Sequence, residues 1–180
     1  MQTPNRLFNV MKQYASFFEW HEKGPKELGV VEALMDALNQ NTALGLHAAQ
    51  EFSPDPPDCV CLNASNEAVA IEVAEVVCET ATPLTAQGHD VYRRWRPGEL
   101  AEHVAKELAD KDRKRFNGGP YAEVIACLFT DEPALSLEQA MSELQPCTFG
   151  PISQLTSAYL LFSYNPRTKA YPVIKLALAR

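Results

Sequence analysis

Apolar side chains recur at near-helical intervals through residues 5–20, where Leu7, Phe8, Val10, Met11, Tyr14, Phe17 and Phe18 predict an amphipathic helix. Gly24-Pro25 breaks that pattern, and Pro25 suits the first turn of a second helix reaching about Asn39. Leu28, Val31, Leu34 and Leu38 form its apolar stripe. Residues 43–52 predict a first strand, ended by Ser53-Pro54-Asp55-Pro56-Pro57. Two short apolar runs follow, Asp58–Leu62 and Ala68–Glu75, separated by a turn at Ser65-Asn66-Glu67. The stretch 78–97 reads as a long irregular connection with Pro83, Gly88 and Pro97, a length often found in functional loops. A helix from about Pro97 to Phe116 closes at Asn117-Gly118-Gly119-Pro120. A strand over Tyr121–Phe129, a short helix at about 136–144 and strands over 157–164 and 171–178 complete the chain. The last two strands are joined by the turn Asn165-Pro166-Arg167-Thr168. The order α-α-β-β-β-α-β-α-β-β predicts an α/β fold with a mixed central sheet of about six strands flanked by helices.

At 180 residues the chain suits one domain with a sizeable core. No apolar run approaches the roughly 20 residues that span a bilayer, so no membrane partner is expected. Arg6, Lys12, Glu19 and His21 interrupt the N-terminal hydrophobic residues, so no signal pattern forms and the expected location is the cytoplasm. Cys59, Cys61, Cys78, Cys127 and Cys147 sit mostly in apolar segments without a C-x-x-C pair or paired histidines. That usage predicts reduced, buried thiols rather than a zinc site.

A net charge of −7 argues against a protein that coats nucleic acid through bulk electrostatics. The distribution changes the picture. Eight of the 16 Lys and Arg residues fall between Arg93 and Arg115, among only five acids. This local patch fits either phosphate contacts or a solvated helix face.

The chemistry-bearing pattern lies in the two apolar runs. Asp58 opens the first, and Glu72 sits among apolar residues in the second, 13 residues intervening. A carboxylate inside a strand is expensive to bury unless it is paired or holds a metal. Residues two apart share a face of a strand, so Glu72 sits with Ala70 and Ala74, whose small side chains leave room around it. Val69, Ile71 and Val73 face the other way. A hairpin brings Asp58 towards Glu72, and two carboxylates suit a hard cation such as Mg2+ or Mn2+.

The Pro57-Asp58 dyad, the hairpin, the strand glutamate and the helix-strand order resemble the PD-(D/E)xK nuclease superfamily, with its restriction-endonuclease-like fold. The resemblance covers roughly residues 23–130. It divides the single domain into an N-terminal helix (1–22), a nuclease-like core (23–130) and a short helix with a strand pair (131–180). It implies that Asp58 and Glu72 ligate magnesium and position a water against a DNA phosphodiester. It also implies work in pairs where both strands are cut, which leaves the oligomeric state open between a monomer and a homodimer.

The motif's lysine belongs at position 74, which here is Ala74. Glu75 falls on the opposite face. Superfamily members sometimes carry the lysine on the following helix. Leu100, Val104 and Leu108 form a stripe that Lys111 extends by three, which makes Lys111 the candidate replacement. The alternative is that Lys111, Arg113, Lys114 and Arg115 complement the helix dipole. The family's helix glutamate, which sits near the metal, corresponds to Glu27 or Glu32, and the sequence does not separate them.

Arg93, Arg94, Trp95 and Arg96, with Lys114, are the candidate nucleic-acid contacts, Trp95 either stacking on a base or packing in the core. Gln50 and Glu51 end the first strand, either near the cleft or simply exposed. His47 on an apolar strand suits a core histidine better than a base, and His89 and Asp90 have no evident partner. Two other functions stay open: an inactive nuclease-fold binding or assembly module, and a small acidic adaptor for a basic protein.

Overall fold

The helix stripes and apolar strands assemble into three layers. The computed structural model describes residues 23–78, 95–132 and 134–180. The helix expected over 5–20 and most of the connection over 78–97 lie outside them.

Helix α1 (Lys23–Asn41) leads to β1 (His47–Glu51), β2 (Cys59–Leu62) and β3 (Ala68–Glu75). Helix α2 (Glu99–Asp112), β4 (Glu123–Thr130) and α3 (Leu137–Leu144) follow, then β5 (Thr148–Phe149), β6 (Ser157–Phe162) and β7 (Val173–Leu178). The seven strands form one sheet in the order β1-β2-β3-β4-β6-β7-β5. The pairs β1/β2, β2/β3 and β6/β7 are antiparallel, whereas β3/β4, β4/β6 and β5/β7 are parallel. The fold is therefore α/β with a mixed sheet, as expected. It has one more strand than expected, because the two-residue β5 is too short to show a period.

Each face of the sheet carries its own core. On one side α1 places Val30, Val31, Leu34 and Leu38 against Cys59, Val69, Ile71, Val73, Ile125 and Cys127. On the other, Leu100, Val104 and Leu108 of α2 and Ala140 and Leu144 of α3 cover Ala126, Leu128, Ala158 and Leu160. The central strands β4 and β6 are covered on both faces, which explains their nearly continuous apolar sequences.

Local chemistry sets the element ends. The Asn41 amide and the Thr42 hydroxyl donate to the carbonyls of Ala37 and Leu38 at 2.7 and 2.8 Å, so α1 runs slightly beyond Asn39. Leu46 N–H then bonds the Asn39 side chain instead of a strand neighbour, and β1 starts only at His47. The β2–β3 turn is held by Asn63 Oδ1, which accepts from Ser65 and Glu67 N–H, both at 2.9 Å. Helix α2 stops at Asp112 rather than Phe116, since Gln154 Nε2 takes the carbonyls of Asp112 and Lys114. All five cysteines are free thiols; four are buried, and Cys147 is half-buried. Burial first, and the Asp58 charge second, push the Cys59 thiol up to about 12.

Candidate metal centre

The β2–β3 register fixes the first relationship. Cys59 pairs with Ile71 in this antiparallel ladder, so Asp58, one residue before β2, lies opposite Glu72. Asp58 Oδ2 accepts Val73 N–H at 2.7 Å, which extends the ladder through a side chain. Glu72 is fully buried and Asp58 is 7% exposed. Two carboxylates facing each other across a strand pair repel, so this arrangement requires compensating cations.

Room for those cations comes from alanines. Glu72 pairs with Ala126 on β4, and Ala126 pairs with Ala158 on β6. With Ala70 and Ala74 beside Glu72 on its own strand, the carboxylate stands in a low stretch of sheet. Helix α2 crosses this face on Leu100, Val104 and Leu108, and its next turn carries Lys111 inward. Lys111 Nζ lies 2.9 Å from Glu72 Oε2 and 3.5 Å from Asp58 Oδ2, with its side chain 12% exposed. The inward-facing alternative for Lys111 is thus the one the structure adopts.

Lys114 was expected among the backbone-binding residues. Its Nζ sits 2.5 Å from Glu72 Oε2 and 3.9 Å from Asp55 Oδ1. The reason is local: Lys114 N–H bonds the Lys111 carbonyl, prolonging the helical path by one tight turn and keeping both ammoniums on one side. Burial disfavours the Lys114 ammonium, but its bond to Glu72 and the charges of Glu72, Asp58 and Asp55 outweigh that cost. Its pKa lies above the ordinary lysine value.

A third acid completes the group. Carboxylate oxygens of Asp55, Asp58 and Glu72 all lie within 4.8 Å of one another. Asp55 lies in the loop that ends the first strand, where Pro54, Pro56 and Pro57 restrict the backbone and favour a fixed conformation. Asn117 ties that loop to the end of α2: its N–H donates to Pro56 O at 2.8 Å and its amide to Pro54 O at 3.1 Å. Gly118 must follow it, because φ is +75° and a Cβ would lie 2.6 Å from the Tyr121 hydroxyl.

Glu72 Oε1 is buried and has no hydrogen-bond partner among the described residues. A carboxylate oxygen left in that state costs free energy, and an oxygen-seeking cation would satisfy it. Asp55, Asp58 and Glu72 thus form a group that could hold a metal ion.

The remaining candidates fall elsewhere. Glu32 is exposed on α1. Glu27 is half-buried and acts electrostatically on Cys59, whose side chain packs on the α1 face. Neither belongs to the acid group, in which Asp55 takes the third place. Trp95 is 5% exposed, joins the core under α2 and meets His103 edge-on at 5.8 Å, so the core alternative holds for it. Arg96 is exposed, and Arg93, Arg94, His89 and Asp90 lie outside the described residues. Gln50 and Glu51 are exposed at the strand end. His47 is exposed too, not a core residue; its ring nitrogens meet Gly45 O at 3.0 Å and Asn66 Oδ1 at 3.3 Å. Among the described residues no helix is long and apolar enough to cross a membrane.

Comparison with protein-family models, with curated proteins and with solved structures gave no match.

Proposed function

We propose that this chain is a metal-dependent phosphodiesterase acting on DNA, a PD-(D/E)xK-type nuclease whose lysine has moved from the strand to helix α2. The helix, the β1–β2–β3 meander, the crossover through α2 and the parallel β4 support a restriction-endonuclease-like core. Asp58 and Glu72, with Asp55 beside them, would hold Mg2+ or Mn2+. When bound, the cation supplies a Lewis acid for a phosphoryl oxygen and makes water more acidic.

The side chains supply the rest. Lys111 orients the attacking water or offsets charge developing on the phosphate, because its ammonium is fixed between two buried acids. Lys114, a third exposed, faces both Glu72 and solvent and meets the incoming phosphate. The observation that carries the reading is Lys111 contacting both acids from a separate element. Such convergence restores the ligand-plus-lysine set that the sequence of β3 alone lacks.

One feature favours a second reading. Lys111 and Lys114 both place their ammoniums on Glu72 Oε2, the counter-charge that an inactive binding module of the same fold would need. Incubating the full chain with plasmid and oligonucleotide DNA in Mg2+, Mn2+ or EDTA separates the two. The nuclease reading expects cation-dependent cleavage that disappears in Asp58→Asn and Lys111→Met while the variants remain folded. Cleavage that persists in both variants refutes it. Salt-sensitive DNA binding without cleavage establishes the binding module.

A further inference from the structure

We infer that the centre takes one divalent cation and not a pair, because Lys111 and Lys114 occupy the side of Glu72 that a second cation would need. The inference rests on the metal-site reading above and adds the number of ions to it. Two-metal hydrolytic sites hold their ions about 3.5–4 Å apart, typically with a carboxylate shared between them. Glu72 is the carboxylate placed to be shared, being fully buried between the other acids and the lysines. Its two oxygens are not equivalent. Oε2 already receives Lys111 at 2.9 Å and Lys114 at 2.5 Å. Oε1 has no partner among the described residues. Asp58 is divided in a similar way, since Oδ2 accepts Val73 N–H and faces Lys111. Both ammoniums therefore lie on Glu72 Oε2, and the buried Oε1 is the carboxylate oxygen left for a cation to satisfy.

Charge points the same way. Asp55, Asp58 and Glu72 against Lys111 and Lys114 leave one net negative charge. One dication turns this into one net positive charge, which a single phosphodiester neutralises. A second dication would add two further positive charges a few ångströms from two lysines with restricted access to solvent. The lysines thus act as a built-in substitute for the second ion.

The test counts Mn2+ bound per chain, by the electron paramagnetic resonance signal of free Mn2+ during titration of the full-length protein without DNA. One ion for the wild type, lost in Asp58→Asn, is expected. Two ions for the wild type overturn the inference while leaving the metal site standing. None overturns the metal-site reading itself, and the inference with it. Removing Lys114, the more exposed of the pair, is the variant best tolerated by the fold. Lys114→Met should bind the first Mn2+ at least about tenfold more tightly, since a neighbouring positive charge is gone. The double variant Lys111→Met/Lys114→Met should admit a second ion if it folds. Unchanged affinity in Lys114→Met would show that the lysines do not set cation occupancy.

Discussion

Lys111 Nζ sits 2.9 Å from Glu72 Oε2, bridging helix α2 and strand β3 across 39 positions of sequence. Glu72 is fully enclosed, and the Lys111 side chain is 12% exposed. In such a setting the attraction roughly repays desolvation, but losing one partner strands a charge. Removing Lys111 therefore tests the fold as well as the proposed chemistry.

Lys111→Met should destabilise the chain by roughly 3 kcal/mol, because Lys114 alone then compensates Glu72. Adding Glu72→Leu should recover much of that loss, since buried pairs exchange for apolar residues at little net cost. Urea denaturation of the two single variants and the double variant measures the coupling. Additive losses would mean that the two side chains do not interact.

Mn2+ should raise the melting temperature. Binding at a hundred times Kd adds about 2.7 kcal/mol, which is roughly 5–10 °C for a chain of this size. Asp58→Asn should abolish the rise, whereas Glu32→Gln should leave it intact, because Glu32 is exposed on α1. A rise of equal size in Asp58→Asn would place the cation elsewhere.

Alkaline titration reads Lys114. Its folded pKa is raised, so its contribution is fully present below the ordinary value of 10.5 and is lost as pH rises through the folded value. The stability gap between wild type and Lys114→Met should be flat near neutrality and close above about pH 10.5. A gap independent of pH across that range would contradict the contact.

Asp112 anchors the end of α2 from its other side. Burial pushes its pKa up, but N–H groups of Leu155, Ser153 and Gln154 and the Ser153 hydroxyl outweigh this and hold it below the usual carboxylate range. A lowered carboxylate stabilises above the ordinary value of 3.8 and loses its effect as pH falls through the folded value. Asp112→Asn should therefore cost stability at neutral pH, with the difference from wild type vanishing in acid. A difference that grows on acidification would refute this assignment.

Trp95→Ala should lower stability by about 3–5 kcal/mol, as expected for a buried aromatic residue. DNA affinity per folded molecule should stay the same. A selective loss of affinity, measured by fluorescence anisotropy, would return Trp95 to a stacking role.

The legible features were those with a period. Leu100, Val104 and Leu108 repeat every four residues, and extending that stripe finds Lys111 without any structure. The hairpin was readable from Asp58, the Asn-rich turn and Glu72, since register follows from a short loop. The contact of Lys114 with Glu72 was not legible because Lys114 lies past the helix end, where a tight turn and Gln154, 40 residues away, decide its direction. Asp55 was missed because nothing local to a proline-rich loop announces that Asn117 will pin it beside two acids. Glu27 and Glu32 were drawn in by the family pattern, but α1 covers the face of the sheet opposite Glu72. Tertiary contacts of high sequence separation carried each of these placements.

Anomalous diffraction from crystals soaked in Mn2+ would show directly whether Asp58 and Glu72 hold a cation. One peak per chain is expected, bounded by Asp58 and the Oε1 side of Glu72, with Asp55 adjoining and Lys111 still on Oε2. Full soaking that leaves no peak there, with both lysines unmoved on Glu72, would contradict a metal-dependent nuclease and leave a charge-sealed binding fold.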